Sequence, residues 1–135
     1  MMSTAERILR YAKIIAVVGA SRDATKSASS VPRVMQERGF RVIPVNPFAD
    51  TILGERAYKT LADIPDKVDV VNVFRPSADA PEAARQAIAI GARALWLQQG
   101  IISDEARRLA ENAGLDYVED RCMAVEAALH HIRVS

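Results

Sequence analysis

The sequence predicts an α/β protein with a Rossmann-like, doubly wound, mostly parallel sheet in a single domain. Three observations carry that expectation. First, the apolar runs Ile14–Val18, Arg41–Val45, 68–74 and Ala94–Leu97 are nearly continuous rather than alternating, as in strands buried on both faces. Second, segments with helical start and stop signals separate them. Third, strands and helices alternating at this spacing are most simply built as right-handed βαβ units around a parallel sheet. A length of 135 residues suits one such unit spanning 1–135, with a short N-terminal helix over 3–12.

Ser3-Thr4-Ala5-Glu6 has the spacing of a capping box, in which Ser3 and Glu6 each satisfy a free N–H at a helix start. The run Ile14–Val18, closed by Gly19, is the central strand. Ser29 or Ser30 then caps a helix with Pro32 in its first turn and Gly39 past its end. The strand Arg41–Val45 follows and Asn46-Pro47 breaks it. Residues 52–58 supply at most a short edge strand, and 60–65 are turn-like. After the strand at 68–74, Asp79 ahead of Pro81 opens a helix stopped by Gly91. Beyond the strand Ala94–Leu97, Ser103 caps a helix with Asp104 and Glu105 in its first turn, which ends at Gly114. A last strand over 117–119 and a helix over 123–132 complete the chain.

Lys plus Arg number 18 against 17 Asp plus Glu. That balance predicts no nucleic-acid or membrane partner drawn by bulk field, so any anion site is local. No apolar run is long enough to span a bilayer. The single cysteine permits no internal disulfide, which suits the cytoplasm.

In the doubly wound order, the first strand and the strand at 68–74 are neighbours at the switch point, and their C-terminal loops form one crevice. Gly19-Ala20-Ser21-Arg22 occupies the first strand-to-helix turn, where free N–H groups and a helix dipole suit a diphosphate. Ser21 and Ser27 add hydroxyls, and Arg22 and Lys26 add positive charge. Phe74-Arg75-Pro76 ends the strand across the crevice, and Val45-Asn46-Pro47 ends the second strand. Gln98-Gln99-Gly100 offers amides for an extended ligand such as pantetheine. Each stretch also has a plainer reading as a solvated loop.

Only Gly19 of the three glycines of the dinucleotide fingerprint is present, and no carboxylate ends the second strand to hold ribose hydroxyls, which disfavours NAD. Cys122 lies at a strand end, but His130 and His131 fall on the last helix with no pattern bringing a base to it. No catalytic residue and no metal site is expected. The alternatives left open are an NAD(H)-binding oxidoreductase or redox sensor, and a mixed disulfide between Cys122 and a thiol ligand.

Five motifs in order, Val17-Val18-Gly19-Ala20-Ser21, Pro44-Val45-Asn46-Pro47, 70–76, 95–101 and Asp120-Arg121-Cys122, resemble the stand-alone CoA-binding domain family, often called YccU-like. The resemblance runs from about Ile14 to the last helix, and that family is similar in fold to the CoA-binding domain of the succinyl-CoA synthetase α subunit. It implies coenzyme A or a short acyl-CoA as ligand. Gly19, Ser21 and Ser27 would serve the phosphates, and Val45, Asn46 and Pro47 the nucleotide. Phe74, Arg75 and Pro76 would form the far wall, and Gln98, Gln99 and Gly100 the pantetheine path. The synthetase's phosphohistidine and ATP-grasp parts have no counterpart in these residues, so the resemblance implies a carrier, sensor or enzyme partner, with a homo-oligomer equally compatible.

Overall fold

The computed structural model describes residues 1–135. Its elements run α1 (Thr4–Tyr11), β1 (Ile14–Val18), α2 (Ser27–Glu37), β2 (Arg41–Val45), β3 (Thr51–Ile52), β4 (Glu55–Arg56), β5 (Val70–Val73), α3 (Ala80–Ala89), β6 (Ala94–Leu97), α4 (Asp104–Asn112), β7 (Asp116–Val118) and α5 (Met123–Leu129). Five strands form one sheet in the order β2-β1-β5-β6-β7, and every pair is parallel. The order reverses between β1 and β5, so the switch point falls where the sequence places it. This is the expected α/β, Rossmann-like architecture.

Helices cover both faces because the strands are apolar on both. Ile15, Val17, Val42, Val70 and Trp96 pack under α1, α2 and α5. Ala16, Val71, Val73, Leu95 and Leu97 pack under α3 and α4. Alanines dominate the buried face of α3, with Ala80, Ala84 and Ala87 all at 0% exposure, which lets that helix sit close to the sheet. Trp96 is wholly buried and its indole N–H donates to the Arg121 carbonyl at 2.9 Å. It is a core residue that ties β6 to the approach of α5. No helix is long and apolar enough to cross a membrane.

Three local expectations need correction. Ser3 caps α1 through the Glu6 N–H at 3.1 Å, but the Glu6 carboxylate accepts from Arg10 Nε at 2.9 Å rather than closing a capping box. The segment 52–58 is not an edge strand. β3 and β4 make a small antiparallel hairpin whose turn, Leu53-Gly54, has positive φ at both residues, and only Tyr58 bridges β2, at Val45. Asp79 opens α3 from its N-cap position, as expected, although its carboxylate makes no capping bond and is paired with Arg75 instead.

The third correction concerns α2, which starts at Ser27 rather than after Ser29 or Ser30. Pro32 therefore lies in the second turn, where a proline lacks the N–H that would bond the carbonyl four residues back. That carbonyl belongs to Ala28, and it accepts instead from the Ser21 N–H at 3.1 Å. The proline is tolerated because its orphaned acceptor is used elsewhere, and the use it finds is to hold the loop after β1.

Candidate functional site: a cleft at the switch point

The loops after β1, β2 and β5, with the first turns of α2 and α3, enclose a cleft of about 700 Å³. Its two central bends touch. Phe74 N–H donates to the Val18 carbonyl at 2.9 Å, and Gly19 N–H donates to the Val45 carbonyl at 3.1 Å. Gly19 has φ +86°, and a Cβ placed on it would lie 3.1 Å from Arg75 Cδ and 3.4 Å from the Phe74 carbonyl carbon. A glycine is required here both by the left-handed backbone and by the close approach of the neighbouring strand end.

The loop from Gly19 to Lys26 is organised by its own polar groups. Ser21 Oγ accepts from the Asp23 N–H at 3.0 Å, and the Asp23 carboxylate accepts the Thr25 hydroxyl at 2.6 Å and the Thr25 N–H at 3.0 Å. The Thr25 donors hold the Asp23 carboxyl below its ordinary pKa. What the loop leaves over is a set of backbone donors. The N–H groups of Ala20, Ser27 and Ala28 find no acceptor within the chain, and Ala20 is 1% exposed. The latter two open α2, where the helix dipole adds positive potential. With the Lys26 ammonium beside them, which makes no ion pair, these groups fit an anion such as a diphosphate.

Asn46 positions this wall rather than facing an open cleft with a free amide. Its Nδ2 donates to the Ala20 carbonyl at 2.9 Å and its Oδ1 accepts from the Phe48 N–H at 2.7 Å. Both ends of the carboxamide are thus engaged, and the loops after β1 and β2 are locked together. On the opposite wall the Arg75 guanidinium donates to Asp79 at 3.0 Å. Arg75 is more than half exposed, so the pair is weakly bound and its guanidinium is available to exchange partners.

The structure brings together Gly19, Ala20, Ser21, Lys26, Val45, Asn46, Pro47, Phe74 and Arg75 around this cleft. Arg22, Ser27 and Pro76 are exposed and their side chains lie outside its lining. The loop Gln98-Gln99-Gly100 sits one strand away. Gln98 is buried, with Oε1 accepting from the Met123 N–H at 3.3 Å and from Asn72 Nδ2 at 3.5 Å, so it serves the start of α5 and the buried Asn72. Gln99 and Gly100 are exposed, and the Gly100 N–H donates to Asp120. Cys122 is half-buried at the start of α5, outside the cleft lining. His130 faces Glu6 and Glu126 at 3.5 and 3.8 Å, on the α1 and α5 side.

Sequence reasoning missed several lining residues: Phe48, Lys59, Thr60, Asp79, Glu82, Ala83 and Gln86. Phe48 is 90% exposed, a large aromatic ring at the mouth. The signal for Glu82, Ala83 and Gln86 was present, since 82 and 86 share a helix face and the helix follows a switch-point strand. Lys59 and Thr60 carried no such signal, because they stand in a turn-like segment that only the Val45 to Tyr58 bridge brings back to the sheet.

A parallel doubly wound sheet with a cleft at its switch point places the chain among the Rossmann-like α/β domains. Its family is narrower. A family model described as a CoA binding domain matches residues 13–128, and the chain belongs to the CoA-binding domain family. The YneT protein of Bacillus subtilis is 36% identical over 124 residues, covering 92% of each chain. The ADP-forming acetate–CoA ligase II of Archaeoglobus fulgidus is 34% identical over 107 residues, a stretch that is 78% of this chain and 16% of the ligase. A hypothetical protein from Pyrococcus horikoshii superposes with a TM-score of 0.92 at 36% identity, covering 96% of this chain and 93% of that one. The chain is thus related to the CoA-binding portion of acetate–CoA ligases.

Proposed function

We propose that the protein binds coenzyme A, free or as a short acyl-CoA, in the switch-point cleft and does not itself transform it. The observation that carries this reading is the unpartnered donor set of Ala20, Ser27 and Ala28 beside Lys26, at the bend that Gly19 and Arg75 close. These groups suit the diphosphate of the cofactor, and a volume of about 700 Å³ accommodates a nucleotide portion. Val45, Pro47 and Phe48 supply apolar surface for the base. From there the pantetheine arm would pass over Phe74-Arg75-Pro76 toward Gln99 and Gly100, and Arg22 and the Ser27 hydroxyl, outside the lining in this structure, would turn toward the ligand to add positive charge and a donor. The non-catalytic part of the proposal is supported by the separation of Cys122 and His130 from the cleft. The whole span 1–135 would act as one binding unit in the cytoplasm, as a carrier, sensor or partner of an enzyme, alone or as a homo-oligomer.

The test is calorimetric titration of the purified chain with CoA, acetyl-CoA, NAD and ATP. Heat from CoA or acetyl-CoA, with little from NAD, is the expected result. Binding of NAD alone removes the proposal, and a mixed disulfide at Cys122 would show as a reductant-sensitive gain in intact mass.

A further inference from the structure

We infer that Lys59 reads a phosphate on the ribose of the ligand, so that the cleft distinguishes coenzyme A from its dephospho form; the inference rests on the CoA reading above. The argument begins with backbone placement. Asn46 N–H donates to the Tyr58 carbonyl at 2.9 Å, Tyr58 N–H donates to the Pro44 carbonyl at 3.0 Å, and Val45 and Tyr58 form a parallel bridge. Residues 57–59 therefore run beside the end of β2, and Lys59 emerges into the cleft there. In dinucleotide folds the end of the second strand is where the ribose is recognised: a carboxylate there takes free hydroxyls, whereas a nearby cation accommodates a ribose phosphate.

Here the carboxylate is missing and the cation is present. The strand ends Val45-Asn46-Pro47, and the Asn46 amide is already engaged by Ala20 and Phe48. The Thr60 hydroxyl donates to Asp63 at 2.9 Å, which removes it as a donor to the ribose. Lys59 is exposed and in no ion pair, although Arg75 in the same cleft is held by Asp79. The diphosphate has its own cation in Lys26, which directly precedes the free N–H groups that open α2, whereas Lys59 follows the residue that bridges the end of β2. A second uncommitted ammonium at the ribose end is surplus to a diphosphate and complementary to a further dianionic group. A lysine, a mobile point charge, suits a phosphate at a solvent-facing rim.

The test titrates the full chain, and its Lys59→Met and Lys26→Met variants, with CoA and with dephospho-CoA at low ionic strength. The wild type should bind CoA about two- to fivefold more tightly than dephospho-CoA, as one exposed ion pair allows. Lys59→Met should lower CoA affinity to that of dephospho-CoA and leave dephospho-CoA binding unchanged. Lys26→Met should weaken both ligands and preserve their ratio. A preference for CoA that survives Lys59→Met, or equal weakening of both ligands by it, overturns the inference while leaving CoA binding intact. Binding of neither ligand by the wild type overturns the CoA reading itself.

Discussion

Replacing Gly19 by alanine probes the geometry on which the site depends. The backbone there sits at φ +86°, and the new Cβ meets Arg75 Cδ at 3.1 Å and the Phe74 carbonyl carbon at 3.4 Å. Holding a non-glycine residue in the left-handed region costs about 1–2 kcal/mol. The contact with Arg75 is relieved by a few tenths of an ångström of side-chain movement, so it adds little to that figure. The contact with the Phe74 backbone is ordinary van der Waals. Stability should therefore fall by about 1–2 kcal/mol, a drop in Tm of roughly 3–8 °C for a chain of this size. Affinity is a separate matter. While nearly all molecules remain folded, lost stability does not alter the apparent Kd, so weaker binding reports on the site alone. The methyl group projects between the two bends that the diphosphate must approach, and CoA affinity should fall at least about tenfold, or ~1.4 kcal/mol. Calorimetric titration beside a thermal melt measures both quantities. A lowered Tm with unchanged CoA affinity would show that the ligand does not approach this bend, and an unchanged Tm would refute the strain argument.

Pro32→Ala restores an N–H that competes with Ser21 for the Ala28 carbonyl. The melting temperature should hold or rise, since alanine favours a helix interior, while hydrogen exchange at the Ser21 amide quickens and CoA affinity falls about threefold; unchanged exchange at Ser21 would sink that account. Asn46→Ala removes two hydrogen bonds that join the loops after β1 and β2, and should cost about 1–3 kcal/mol in urea unfolding together with weaker CoA binding; a loss of stability with no change in affinity would confine Asn46 to a structural part. Asp116 is a pH probe of the opposite, N-terminal end of the sheet. Burial alone would raise its pKa, but hydrogen bonds from Arg7 at 2.7 Å and Tyr11 at 3.0 Å overcome that and hold it below the usual value. A depressed folded pKa contributes stability that is present above the unfolded carboxyl value near ~3.9 and is lost as pH falls through the folded value. The gap in urea stability between the wild type and Asp116→Asn should thus be constant from pH 5 to 7 and close in stronger acid; a gap that widens on acidification contradicts the assignment.

The sheet was legible because its strands are buried on both faces, and continuous β-branched runs such as Ile14–Val18 have few other structures open to them. Their parallel order followed from the alternation with helices, and with it the switch point and the meeting of Gly19 with Arg75. The loops were harder because their polar groups are shared across chain segments far apart in sequence. Asn46 and Gln98 stand at strand ends and offer amides in the sequence. One is engaged by a carbonyl 26 residues earlier, and the other by an N–H 25 residues later. No local pattern announces either bond.

The start of α2 shows why this matters for function as well as for boundaries. Local rules put a proline in the first turn of a helix because its missing N–H costs least there. Applied to Pro32, they move the helix start three or four residues late and take Ser27 and Ala28 out of the N-terminal turn. Those are two of the residues whose N–H groups find no acceptor within the chain. The proline is instead accommodated by a tertiary bond from Ser21, which both satisfies the Ala28 carbonyl and draws the loop after β1 against the helix. A residue that looks like a boundary marker is therefore part of what shapes the loop after β1, and the departure from the local rule coincides with the candidate site. Strained or rule-breaking positions are expected where binding demands them, and in this chain Gly19, Pro32 and the positions they constrain converge on one cleft.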